Sequence, residues 1–295
     1  MTALTVSDAV CVYKEQAVLG ESPLWHPGHG KLFWLDIKGG KLHAYRPDTG
    51  AKTHFWFDGM ISAIALAAEH DFICVHEHGF AYLDLVGERV ERTPIIDPEV
   101  EKPENRFNDG KIGPDGAFWA GTMENAETYR TGTWWRLMPD GRCTAIDAEY
   151  MVTNGPAFDP DRERVYLTDS ADQCVFVATP TPDGIQDKRP FLQFGPGDGY
   201  PDGMCVDAEG CLWIAFWDGA CVRRFNADGQ RIGEFSVPVP RPTSVALVAD
   251  RLFVTSASTG LSEAMLTAFP QSGGLFEFQL SRSLQRPGQM VFTPQ

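Results

Sequence analysis

One pattern recurs along this sequence and constrains the fold more than any other feature. A turn rich in Asp, Gly or Pro is followed by a short aromatic or aliphatic strand, a second turn and another strand. The strand cores are Lys31-Leu32-Phe33-Trp34, Asp71-Phe72-Ile73-Cys74, Ala117-Phe118-Trp119-Ala120, Arg164-Val165-Tyr166-Leu167, Cys211-Leu212-Trp213-Ile214 and Arg251-Leu252-Phe253-Val254. With residues 33, 72, 118, 165, 212 and 252 as markers, the steps are 39, 46, 47, 47 and 40, so six units fill the chain. In the fifth unit, strands are expected over 203–207, 211–216, 221–225 and 231–237, with turns between them. Four short strands in about forty to fifty residues is the pattern of a propeller blade. The expected fold is therefore all-β: one domain over residues 1–295, a six-bladed β-propeller with four-stranded antiparallel blades around a central channel. Closing the ring requires a strand from the other terminus, supplied by 289–293 or by 10–14.

Composition agrees with a folded β protein and excludes some partners. Hydrophobic residues are 43% and charged residues 22% of 295, which is globular rather than disordered. The 29 Gly and 21 Pro, with 8 Trp, 7 Tyr and 19 Phe, favour short strands punctuated by turns. With 25 Lys+Arg against 40 Asp+Glu, the net charge of −15 repels phosphate backbones and anionic lipid, so neither nucleic acid nor membrane is an expected partner. The opening residues Met1 to Asp8 lack the basic and apolar regions of a secretion signal. The longest weakly polar run, 61–68, is too short to span a bilayer. Seven cysteines with no Cys-x-x-Cys pair indicate reduced, mostly buried thiols and a cytoplasmic protein.

Equivalent positions in equivalent blades should sit at one height around the channel. Counting back ten to twelve residues from the markers finds Glu21, Asn108, Asn154 and Asp202, each read as lying in a turn beside Gly or Pro. The second and sixth units carry Ile61-Ser62 and Thr243-Ser244 instead. Any one Asn-Gly or Asp-Gly reads as a mere turn former. Four in phase point to a site. Two carboxylates and two amides cannot be buried together without a partner, and a cation is the simplest one. Oxygen-only donors suit Ca²⁺, Mg²⁺ or Mn²⁺, and Zn²⁺ or Fe²⁺ also accept such ligands. Strand alternation puts the turns after the second strands on the same face, among them Met123-Glu124-Asn125, Asp169-Ser170-Ala171 and Phe216-Trp217-Asp218. Residues 256–274, with apolar positions at helical spacing, read either as a lid or as a buried helix between two blades.

Competing sites are weaker. His76-Glu77-His78 shows no third ligand and reads as turn and rim; no Gly-x-Ser-x-Gly is present, against serine-hydrolase chemistry. Gly195 to Gly199 lacks the Lys-Ser/Thr ending of a phosphate cradle. Arg106 either faces the site beside Asn108 or forms a surface ion pair with Glu104 or Glu101.

Leu19-Gly20-Glu21-Ser22-Pro23-Leu24-Trp25, Arg106-Phe107-Asn108-Asp109-Gly110-Lys111, Gly121-Thr122-Met123, Thr153-Asn154-Gly155-Pro156 and Tyr200-Pro201-Asp202-Gly203-Met204 resemble the motifs of the SMP-30/gluconolactonase/regucalcin family, from about Leu19 to Phe278. The resemblance implies a six-bladed propeller that hydrolyses a sugar lactone with one divalent metal ion. It implies Glu21, Asn154 and Asp202 as metal ligands, and Arg106 and Asn108 as substrate contacts. Glu124 and Trp217, in turns on the same face, are expected as further substrate contacts. The sequence departs from animal members after Gly-Thr-Met, where Glu124 is followed by Asn125-Ala126. Asp202 is expected to act as general base toward water, its carboxylate having a second oxygen to take the proton. A monomer or weak homo-oligomer is expected. Two other readings are a promiscuous esterase or organophosphate hydrolase, and a calcium-binding regulatory or scaffold propeller.

Overall fold

The marker residues of all six strand cores fall in β-strands of the structure. The computed structural model describes residues 4–295, so the first three residues of the N-terminal reading lie outside the described residues. In chain order β1 (Val10–Tyr13) precedes β2 (Gly20–His26), β3 (Lys31–Asp36), β4 (Lys41–Arg46) and β5 (Ala51–Trp56). Then come β6 (Ile61–Ala67), β7 (Phe72–His76), β8 (Gly79–Val86) and β9 (Arg89–Ile96). They are followed by β10 (Asn105–Ile112), β11 (Phe118–Glu124), β12 (Gly132–Leu137) and β13 (Cys143–Tyr150). The next four are β14 (Thr153–Asp159), β15 (Arg164–Asp169), β16 (Cys174–Thr181) and β17 (Gly184–Gln193). After β18 (Tyr200–Val206), β19 (Leu212–Trp217), β20 (Cys221–Phe225) and β21 (Arg231–Ser236) come β22 (Pro242–Val248) and β23 (Arg251–Ser256). Helix α1 (Glu263–Ala268), β24 (Leu275–Gln279) and the short β25 (Val291–Phe292) end the chain. The fold is all-β and propeller-like.

The chain divides into two compact units, one running to His54 and resuming over Gly195–Pro287, the other comprising Phe55–Phe194 and the residues from Gly288. In the first, β2 to β5, β18 to β21, and β22-β23-β24-β1 form the sheets, and β22 packs between β18 and β2. In the second, β6 to β9, β10 to β13 and β14 to β17 form the sheets, with β10 packed between β6 and β14 and β25 laid parallel along the end of β6. Of the two segments expected to complete a sheet from a distance, 10–14 contributes the outer strand: Val10 pairs with Glu277 and Tyr13 with Leu275.

Apolar second and third strands build the cores while outer strands stay wet. In the first unit Trp213, Val222, Val254 and Phe276 are fully buried in one cluster; in the second Phe80, Phe107, Phe118 and Leu137 form another. Phe80 meets Phe107 edge-on at 5.0 Å, the offset geometry that ring quadrupoles prefer. Each such side chain contributes roughly 1.5–3 kcal/mol on burial. The outer strands β9 and β21 are largely exposed. Polar groups inside are matched where they are charged: Asp207 accepts from Trp213 Nε1 (2.8 Å) and from Arg224 Nε (2.9 Å) and Nη2 (2.6 Å), and from the backbone N–H of Glu209 and Cys211. His43 is the contrast. It stacks on Trp34 with ring centroids 4.1 Å apart, is fully buried, and neither ring nitrogen has a hydrogen-bond partner.

The helical spacing in 256–274 is realised over Glu263–Ala268, capped by the Ser262 hydroxyl, which accepts from Met265 N–H. None of its residues is buried, so it is no buried helix between sheets. All seven cysteines are free. Among the described residues no helix is long and apolar enough to cross a membrane.

Candidate active site

In each unit the strands β2, β18 and β22, or β6, β10 and β14, carry a break in their pairing with the next strand. In the first unit the pairing slips between Glu21 and Leu24 in β2, Pro201 and Met204 in β18, and Pro242 and Val245 in β22. In the second it slips between Ile61 and Ala63 in β6, Phe107 and Asp109 in β10, and Asn154 and Ala157 in β14. A bulge sets extra residues opposite one partner and re-aims a side chain out of the pleat. Glu21, Asn108, Asn154 and Asp202 all lie in or beside such bulges. They are strand residues and not turn residues, which corrects the reading of their Asn-Gly and Asp-Gly pairs. The glycines serve different ends. Gly155 has φ of 90°, but Gly110 and Gly203 are not left-handed. A Cβ on Gly110 would stand 2.8 Å from the Trp119 carbonyl oxygen, and one on Gly203 would strike the Ser244 side chain. Close backbone approach therefore selects glycine at both.

In the second unit the sequence candidates form one hydrogen-bonded chain. Arg106 Nη1 donates to Asn108 Oδ1 (2.8 Å) and to the Phe107 carbonyl (3.0 Å), and its Nε donates to Asn125 Oδ1 (3.1 Å). Asn108 Nδ2 donates to the Thr153 carbonyl (2.7 Å) and to Asn154 Oδ1 (3.1 Å); Asn154 Nδ2 donates to Ser170 Oγ (2.8 Å). Arg106 is 6% exposed, so the surface ion pair is not its setting. Beneath them Asp109 ties the two bulges together, accepting from Gly110 N–H at 2.7 Å and Gly155 N–H at 3.0 Å. Burial pushes its carboxyl up to about 6, against the opposing pull of Lys111 and those two N–H groups. Glu124 is buried at the end of β11. Its Oε2 accepts from the N–H groups of Thr128 (2.6 Å) and Tyr129 (2.8 Å), folding the following loop onto itself.

In the first unit Glu21 and Asp202 are 6% and 7% exposed, on strands that flank β22. Glu21 Oε2 accepts from the N–H of Ser22, whose φ is 52°. Trp217 ends β19, directly opposite Tyr200. Of the three residues read as turn and rim, only Glu77 and His78 are in the turn: His76 is buried at the end of β7, accepts from the His78 N–H at 3.2 Å, and burial lowers its pKa to about 4. The roles of Asp109 and Asn125 were not read from sequence, although both adjoin residues that were; Ser170 appeared only as part of a turn.

Each unit taken by itself carries oxygen donors of the type that hard divalent ions take. Glu21 and Asp202 are carboxylates, and the Ser170 bond fixes the Asn154 amide with its oxygen on the Asn108 side, where a carbonyl-type oxygen keeps a second lone pair.

The pattern of the SMP-30/gluconolactonase/LRE-like region matches residues 19–258. The chain belongs to this family. As a family member it is 33% identical over 262 residues to the pentonolactonase XacC of Haloferax volcanii, covering 87% of this chain and 86% of that one. It is likewise 33% identical to a 6-deoxy-6-sulfogluconolactonase of Pseudomonas putida, covering 90% and 92%. Among solved structures, the calcium-binding protein regucalcin of Agrobacterium tumefaciens superposes with a TM-score of 0.89 at 27% identity, covering 97% of each chain.

Proposed function

We propose that this family member hydrolyses a sugar lactone, an aldono-1,4- or 1,5-lactone, to the aldonic acid. The observation that carries the reading is the chain Arg106–Asn108–Asn154–Ser170, which fixes a cation and two amides along β10 and β14 and a hydroxyl in the turn after β15. The likeness to named sugar lactonases supports the same reading. The proposal includes a single domain of six blades with Glu21, Asn154 and Asp202 as ligands of one divalent ion, Ca²⁺, Zn²⁺, Mn²⁺, Mg²⁺ or Fe²⁺. When bound, that ion supplies Lewis-acid polarisation of the lactone carbonyl. Asp202 takes a proton from the attacking water as its oxygen bonds to the carbonyl carbon. The bond from that carbon to the ring oxygen then breaks, and the ring oxygen takes the proton back from Asp202 to become a hydroxyl. Arg106 and Asn108 orient sugar oxygens, with Trp217 and Glu124 as further contacts. The net charge of −15 favours release of the anionic product. Free, mostly buried thiols fit a cytoplasmic protein, acting as a monomer or weak homo-oligomer.

A pH-drop assay over a panel of aldonolactones, with and without chelator, tests this. Acid release that chelator abolishes and that Asp202→Ala eliminates is the expected result. Wild-type kcat in Asp202→Ala removes the general-base assignment, and no acid release on any lactone turns the reading toward a regulatory metal-binding propeller.

A further inference from the structure

Three features of the first unit converge on Trp217. The turn after β19 holds two non-glycine residues in the left-handed region, Asp218 at φ 55° and Ala220 at φ 51°. Such conformations are uncommon outside glycine and persist where surrounding structure enforces them. The enforcing group is Arg241, which enters from the segment before β22. Its Nε donates to Asp218 Oδ1 at 2.6 Å and its Nη2 to Asp218 Oδ2 at 3.3 Å, a two-pronged pairing that a lysine cannot copy. Its Nη1 donates to the Thr259 carbonyl, and its guanidinium lies 4.6 Å from the Trp217 ring centroid. Only 16% of the Arg241 side chain is exposed, although Asp218 is 39% exposed. The neighbourhood is shaped to admit it: Gly260 has φ of 69°, and a Cβ there would stand 2.6 Å from Arg241 Nη1. One side chain thus pins the turn 217–220, the strand entering β22 and the segment leading to α1.

We propose that Arg241 is a positioning residue for substrate binding, acting through Trp217: it clamps Asp218 and lies over the indole, presetting the ring that meets the sugar lactone. This rests on the lactonase reading and on Trp217 as a substrate contact. A ring preset in the free enzyme lowers the ordering cost of binding, so loss of the clamp raises KM and leaves kcat nearly unchanged.

The experiment is a double-mutant cycle on KM and kcat with the best aldonolactone from the panel. Arg241→Lys keeps the charge but loses the fork and the planar group over the indole, and Trp217→Phe removes the indole. Asp218→Asn is a second, milder release of the clamp should Arg241→Lys unfold. Expected results are a KM raised about three- to tenfold in Arg241→Lys, kcat within about twofold, and loss of that KM effect in the Trp217→Phe background. A purely structural arginine would lower the melting temperature with KM unmoved, or act equally in both backgrounds; either overturns the proposal. A Trp217→Phe enzyme with unaltered KM overturns it while leaving the lactonase reading intact. No turnover by the unmodified enzyme overturns both.

Discussion

His43 should make the protein acid-sensitive as pH falls from about 6.5 toward about 4. The imidazole is fully buried against Trp34, with Tyr13 edge-on at 5.3 Å, and neither nitrogen finds a partner. Burial pulls its pKa down from 6.5 to about 4, with Glu15 opposing and Lys41 and His54 assisting. The folded state therefore excludes a proton that the unfolded chain binds below about pH 6.5. By linkage, stability from this group is intact above that pH and is lost as pH falls toward about 4. The two pKa values correspond to a loss of about 2 kcal/mol between about pH 7.5 and about pH 5, rising to about 3 kcal/mol near pH 3.5. Replacing His43 with Phe keeps an aromatic ring on Trp34 and removes the titration along with two unsatisfied nitrogens. Urea unfolding of both proteins at the two upper pH values is the assay, with chelator present throughout to remove metal linkage. His43→Phe should match or exceed the wild type near pH 7.5, and the difference should widen by about 2 kcal/mol near pH 5. Parallel losses in the two proteins would refute the reasoning.

Three further outcomes follow from buried contacts. Asp207→Ala leaves the Arg224 guanidinium without its buried partner and the Trp213 indole N–H without an acceptor, and should cost about 3–5 kcal/mol in urea unfolding. Ser170→Ala removes the acceptor that orients the Asn154 amide and should weaken metal binding by about tenfold or more in calorimetric titration, with little change in fold stability. The Cys74 thiol, pushed up to about 12 by burial, should stay unreactive toward a disulfide reagent near pH 8 until the chain is unfolded.

The repeat was legible because the second strand of each sheet is buried on both faces, so its residues are aromatic or aliphatic whatever the loops do. Cys211-Leu212-Trp213-Ile214 and Arg164-Val165-Tyr166-Leu167 announce β19 and β15 for that reason. Counting back ten to twelve residues from those strands leads to Glu21, Asn108, Asn154 and Asp202, and each of the four lies in or beside a break in strand pairing. What failed was local geometry. Asn108-Asp109-Gly110 has the composition of a turn, and only the proximity of the Trp119 carbonyl reveals why glycine is there. Asp109 and Ser170 act on partners 46 and 16 residues away in sequence, a relation no local pattern records. The 256–274 segment reads as either a lid or a buried helix, and the exposure of Met265 and Phe269 removes the second.

The pairing of Val10 with Glu277 has a consequence for how the protein is made. Synthesis delivers β1 well before its partner β24, so β1 waits for its place while the strands between them are made. Until then its backbone N–H and C=O groups remain open to foreign strands, and afterwards it shields the matching edge of β24. The terminal sheet becomes the slowest contact to form and the one most vulnerable to a bulky N-terminal fusion. Such a fusion should impair soluble yield more than the same addition at the other end of the chain.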